Sequence, residues 1–153
     1  MQVFVPYPNI QLSVECLDDS RLGNQIWREA LTLARGKWPN HPVSKMWKYH
    51  IHFLCEYAYA GLREIQRRTG KSHVNIFDKF HEIQMKKADT GPPCWWGDMR
   101  VHRSHRQNLL RKDPTWYAQF GWNVRPSNEY YYPEIDLDQE RRRVQPMIKS
   151  HFA

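Results

Sequence analysis

The stretch from Val43 to Thr69 reads VSKMWKYHIHFLCEYAYAGLREIQRRT, and in it Val43, Met46, Trp47, His50, Phe53, Leu54, Tyr57, Ala58, Gly61, Leu62 and Ile65 recur at steps of three and four. At 3.6 residues per turn that spacing gathers them on one helical face. The face is apolar and broad, so the segment reads as the central helix of a core. His50 lies on that seam and reads as a satisfied core histidine. Arg63, Arg67, Arg68 and Lys71 crowd the C-terminal end around Gly70, where cations complement the helix dipole and glycine accepts a left-handed stop. They could meet a polyanion, but a solvated face is the simpler reading of them.

Outward from this helix the punctuation is local. Asp18 and Asp19 suit the N-terminus of a first helix that ends by Gly36, and the loop KWPNHP leads into the central one. Val74, Phe77, Phe80 and Ile83 support a third helix from Val74 to Lys87, stopped by TGPP at 90–93. His102 to Lys112 would form a fourth. Residues 3–10, VFVPYPNI, read as an apolar extended segment, since Pro6 and Pro8 bias the residues before them away from helix. The expected fold is all-α: one compact domain over 1–153, of three to four helices, with an extended N-terminal segment and an aromatic-rich C-terminal region.

Composition agrees with a single core. The chain has 153 residues, 41% of them hydrophobic and 14% aromatic, which argues against disorder and against two independent domains. Lys and Arg number 23 against 16 Asp and Glu, a formal charge of +7 that favours polyanionic partners. No apolar run approaches the roughly 20 residues of a membrane span, and MQVFVPYPNI lacks the basic and apolar regions of a secretory signal. Cys16, Cys55 and Cys94 are an odd number at wide spacings, so a reducing, cytoplasmic setting is expected.

The charge has a focus. From Arg100 to Lys112 five Lys or Arg occur with no carboxylate, and Pro114, Thr115, Trp116, Tyr117, Phe120 and Trp122 follow. Cations beside flat π faces suit a nucleic acid, the first holding phosphates and the second stacking on bases. A basic surface helix followed by core aromatics is the plainer alternative.

One residue of the first helix is out of place. Leu22, Ile26, Ala30 and Leu33 form an apolar stripe, and by the helical period Glu29 projects only about 20° from Leu22 and about 40° from Leu33. On its other side Arg21, Gln25, Arg28 and Thr32 make a polar, partly basic stripe. A carboxylate at such a border is a candidate functional group, or else an ordinary partner for Arg21 or Lys48.

The elements VPYP at 5–8, LDDSRLGNQIWREALTL at 17–33, WPNHPVSKMW at 38–47 and RSHRQNLLRKDPTWY at 103–117 resemble, in order, the small pyrimidine-dimer DNA glycosylases of the endonuclease V type found in bacteriophages and some bacteria. The resemblance implies a compact all-α, metal-free glycosylase with an attached abasic-site lyase activity, needing no cofactor and acting as a monomer on double-stranded DNA that carries a lesion or modified base. It implies a setting in the nucleoid of a bacterial or phage-infected cell. It also implies two chemical groups, the N-terminal α-amine and a glutamate in an aromatic-Arg-Glu context, here Trp27-Arg28-Glu29.

An α-amine titrates near about 7.7–8.0, so at neutral pH a useful fraction is an uncharged nucleophile that can form an imine at a sugar C1′. Family members expose a small residue by removing the initiator Met; here the bulky Gln2 should leave Met1 in place, making its amine the nucleophile. Arg21, Gln25, Arg28, Asn40, His41, Arg103, His105, Arg106, Arg111 and Lys112 are the expected DNA contacts, with Trp116 and Tyr117 holding the distorted site. For Asn40 and His41 a loop-structuring role is the alternative.

Two other classes remain open at this level. Cys94, Asp98, His102 and His105 fall close together, and the i, i+3 histidines could serve a metal-dependent nuclease. The basic, aromatic surface could equally belong to a DNA-binding module without catalysis, which predicts binding without strand cleavage.

Overall fold

A computed structural model describes residues 1–152. Among them there are helices and no strands: α1 (Ile10–Glu15), α2 (Asp19–Asn24), a π-helical turn (Gln25–Ala30), α3 (Leu31–Ala34), α4 (Pro42–Trp47), α5 (Ile51–Thr69), α6 (Val74–Gln84), α7 (Met99–Lys112), α8 (Pro114–Tyr117), a 3₁₀ turn (Ala118–Phe120) and α9 (Leu137–His151). The all-α class holds. The expected count of three to four helices is too low, because α1, α8 and α9 were not foreseen and one expected helix is two.

That helix is the 43–69 stretch. The chain turns at His50, whose backbone leaves the helical region at φ −130° and ψ 35°, yet the apolar stripe survives across the break: Val43, Met46, Trp47, His50, Leu54, Tyr57, Ala58, Leu62 and Ile65 are all buried. Groups freed at the turn find partners. Thr90 Oγ1 donates to the Tyr49 carbonyl at 2.5 Å, Trp95 Nε1 donates to that of Met46 at 2.9 Å, and His50 Nδ1 bonds the Gly91 carbonyl at 3.0 Å. An internal break of this kind is invisible to periodicity, because a turn that keeps the three- and four-residue steps keeps the pattern.

Helix α5 is the post around which α1, α2, the π turn, α3 and α6 pack. Asp18 caps α2 as expected, its side chain accepting from the Arg21 N–H, and Gly70 closes α5 at φ 75°. The π turn meets α5 at Gly61, where an added Cβ would displace the Ile26 side chain; the missing Cβ lets Ile26 fill that space. Two of the charges at the end of α5 are structural. Arg67 and Arg68 both hold the buried Glu64, and Arg68 also donates to the Leu17 and Glu15 carbonyls at 2.7 and 2.9 Å.

Helix α9 went unread because a glutamate interrupts its inner stripe of Leu137, Glu140, Val144 and Ile148. Glu140 is buried, accepts from the Cys94 N–H at 3.2 Å, pairs with Arg143 and lies 3.5 Å from His50 Nε2. Burial opposes its ionisation, but Arg143 and the Cys94 hydrogen bonds win and hold its pKa at about 2.

Candidate active site

The N-terminal arm is extended as expected but pairs with no strand. Its backbone groups still require partners once buried, and side chains supply them. Gln25 reaches in from the π turn with both ends of its amide: Oε1 accepts from the Phe4 N–H at 2.6 Å and Nε2 donates to the Gln2 carbonyl at 3.0 Å. Tyr57 of α5 donates to the Phe4 carbonyl at 2.8 Å. From α7, His105 Nδ1 accepts the Val5 N–H at 2.9 Å, His102 Nδ1 bonds the Val5 carbonyl at 2.7 Å, and Arg106 Nε donates to the Pro6 carbonyl at 2.7 Å.

These bonds fix the two imidazoles as neutral. Gly97 N–H donates to His102 Nε2 at 3.0 Å, so the proton of that ring sits on Nδ1 and points at Val5. His105 accepts at Nδ1 and carries its proton on Nε2. Burial lowers both pKa values, that of His105 to about 3.

Several side chains expected to contact DNA are engaged within the fold. His105 and Gln25 are buried and spent on the arm, and Arg106 is committed to Pro6 and to the Tyr7 ring, 4.9 Å from its guanidinium. Tyr117 is wholly buried; its hydroxyl donates to Asp18 Oδ1 at 2.5 Å, and its ring stacks on Trp122, which stacks on Phe120. Trp116 is half-buried and donates through Nε1 to the Cys16 carbonyl at 2.8 Å. Tyr117 belongs to the core, and Trp116, Phe120 and Trp122 are partly buried and packed against it.

The proposed metal ligands part company as well. Asp98 caps α7 and pairs with Arg100, Cys94 faces Glu140, and His102 and His105 hold Val5. Among the described residues no three His, Cys, Asp or Glu side chains gather as a metal site.

What the clasped arm delivers is Met1. Met1 and Glu29 line one cleft of about 500 Å³, together with Phe4, Ser20, Arg21, Asn24, Gln25, His41, Lys112, Tyr130 and Tyr132. Glu29 lies in the π turn, half-buried, beside the exposed Trp27 and Arg28; such turns are rare and recur at functional sites. His41 sits within electrostatic reach of both groups: its pKa is lowered first by partial burial, then by the Met1 amine, and is raised by Glu29. Its Nδ1 accepts the Val43 N–H at 3.1 Å, which leaves Nε2 to carry the proton of the neutral ring.

Positive charge rims the cleft. Arg21 is tied to Asp18 at 3.2 Å, and Arg111 and Lys112 are exposed at the end of α7. Lys112 has its pKa lowered by partial burial and by the neighbouring Arg111 and Arg21. Arg28, Asn40 and Arg103 are exposed outside the lining. Tyr130 and Tyr132 were missed in the sequence. They belong to the irregular stretch NEYYYP at 128–133, whose only signal is its three consecutive tyrosines; Asn108 holds it in place by donating to the Glu129 carbonyl at 2.8 Å.

Searches of the curated proteins and of the solved structures return no match. The family model described as pyrimidine dimer DNA glycosylase matches residues 1–78, just over half of the chain, and carries the arm, the π turn and the His41 loop. The chain belongs to the pyrimidine dimer DNA glycosylase family.

Proposed function

We propose that the Met1 α-amine and Glu29 carry out glycosylase and abasic-site lyase chemistry on a pyrimidine dimer or a related damaged base in double-stranded DNA, with the protein acting as a monomer and without a cofactor. The observation that carries this reading is the shared cleft: Met1 and Glu29 line the same space, with His41 within electrostatic reach of the amine and of the carboxylate and with basic side chains at the rim. The amine lone pair attacks C1′, the glycosidic bond breaks, and the departing base keeps the electron pair and takes up a proton. Loss of the amine proton with opening of the sugar ring gives an imine; removal of a C2′ proton then expels the 3′-phosphate and breaks the strand. Glu29 stabilises positive charge on the sugar and assists the proton transfers, with the His41 Nε2–H as a donor nearby. Arg21, Arg28, Asn40, Arg103, Arg111 and Lys112 contact the backbone.

Borohydride trapping on duplexes bearing an abasic site or a defined dimer, in excess EDTA, tests the reading. A covalent adduct mapping to Met1 is the expected product. Activity that vanishes with chelation and returns with a divalent ion would favour the nuclease, and binding without cleavage the non-catalytic module. Glu29→Gln should keep DNA affinity and lose on the order of 10² or more in single-turnover rate, as when a positioned acid–base group is removed.

A further inference from the structure

The loop between α3 and α4 carries a residue that neither the fold nor this chemistry uses. Trp38 is 69% exposed, the most open of the large apolar side chains among the described residues. Its backbone lies at φ 53°, and it is the one non-glycine residue there with a positive φ, a conformation that is unfavourable for an indole-bearing residue. The backbone around it is braced. Ser44 Oγ donates to the Lys37 carbonyl at 3.3 Å, Lys37 N–H donates to Thr32 at 3.2 Å, and His41 N–H donates to the Trp38 carbonyl at 3.0 Å. Trp27, by contrast, folds over Gly23 and against His73.

The place of this indole is informative. On one side of the loop His41 lines the cleft of Met1 and Glu29. On the other, Lys37 and Pro39 line a separate depression of about 340 Å³ whose charged residues, Arg35, Lys37, Lys48 and Lys87, are all basic. Trp38 thus stands on a ridge between a cleft holding an amine and a carboxylate and a groove suited to phosphates. An open aromatic face carried by a braced backbone on such a ridge matches an unstacked nucleobase.

We propose that Trp38 is a positioning residue that stacks on a base unstacked beside the damaged site while the Lys37 side of the ridge holds the strand. The inference rests on the DNA-repair reading of the cleft. It does not rest on the Met1 amine, and the test keeps the two apart.

The full-length protein is bound to a duplex holding an uncleavable tetrahydrofuran abasic analogue, with 2-aminopurine placed in turn opposite the lesion and at each flanking position. At one of these positions the wild type should quench the probe, Trp38→Phe should retain most of the quenching and Trp38→Ala should lose it. Preference for the analogue over undamaged duplex should fall on the order of tenfold in Trp38→Ala, the loss of one base–aromatic stack, with affinity for undamaged duplex unchanged. Trp38→Gly should lose the same preference while melting no lower than wild type, a combination a purely structural tryptophan would not give. Identical probe emission and lesion preference in wild type and Trp38→Ala would overturn the proposal and leave the indole to a protein partner. Failure of borohydride trapping by the wild type on a natural abasic site would instead sink the amine mechanism, while the stacking signal on the analogue would still be read.

Discussion

The two faces of α7 draw on the same kinds of residue and do opposite work. One face, with His102, His105 and Arg106, turns inward and clasps the backbone of Val5 and Pro6. The other, with Arg103 and Arg111, faces solvent, while Lys112, on the His105 side but at the open end of the helix, borders the cleft. A segment that looks uniformly basic is thus half scaffold and half surface. The scaffold half matters to chemistry because the arm it holds ends at Met1, and a nucleophile is effective only where its position is fixed.

The comparison breaks most severely at Gln25. Its amide satisfies one donor and one acceptor of the arm from within the π turn that also carries Glu29, so it ties the two candidate groups together. Gln25→Ala leaves the Phe4 N–H and the Gln2 carbonyl unpaired in a buried place, a cost of about 2–4 kcal/mol. Urea unfolding should register that loss. Trapping at an abasic site, measured where the variant is still folded, should fall more than the affinity for undamaged DNA. Equal losses in both would mean that the arm does not position the reacting amine.

Acid should attack the scaffold face before the surface face. His105 is depressed to about 3 and His102 is also lowered, so the folded state binds fewer protons than the unfolded chain below the ordinary histidine value near about 6.5. The stability they contribute is complete above that value. It is lost as pH falls below that value, for His105 down to about 3, by up to about 1.4 kcal/mol per pH unit for each histidine. Glu140, held at about 2, acts in the same direction but only below the ordinary carboxylate range, so stability between pH 6.5 and 5 reports on histidines; His50 and His41 are lowered as well, and comparison of a single variant with wild type separates the clasp from them. His105→Gln should be less stable at pH 7.5 and show a flatter slope over that interval. An unchanged slope would refute the neutral clasp.

How much of this was legible follows the same division. The apolar stripe of 43–69, the Asp18 cap and the Gly70 stop could be read because each is a local rule of spacing or backbone conformation. The break at His50 could not, since the partners that permit it, Thr90, Gly91 and Trp95, come from a loop far along the chain. Glu29 stood out as a carboxylate on an apolar border. Gln25, one helical turn before Glu29 on the neighbouring polar stripe, reads as a DNA contact because nothing local says that an extended arm lacking a strand partner must borrow an amide. His102 and His105 suggested metal or phosphate for the same reason; their real partner is a backbone some hundred residues earlier, and only the tertiary fold brings it there.

The smallest expected effect sharpens the comparison most finely, because it sets two arginines of one helix against each other. Arg111 is exposed at the cleft end of α7, while Arg106 spends its Nε on Pro6 and its guanidinium on Tyr7. Arg111→Ala removes a charge that can neutralise a phosphate, so the salt dependence of binding should fall by about one counterion for damaged and undamaged duplex alike. Its stability should stay within about 0.5 kcal/mol of wild type, as for other surface changes. Arg106→Ala should do the reverse, keeping the salt slope and losing about 1 kcal/mol with the Pro6 hydrogen bond. Binding titrated at several salt concentrations, alongside urea unfolding of both variants, separates the cases. A lower salt slope for Arg106→Ala would place that guanidinium on DNA and blur the boundary between the two faces.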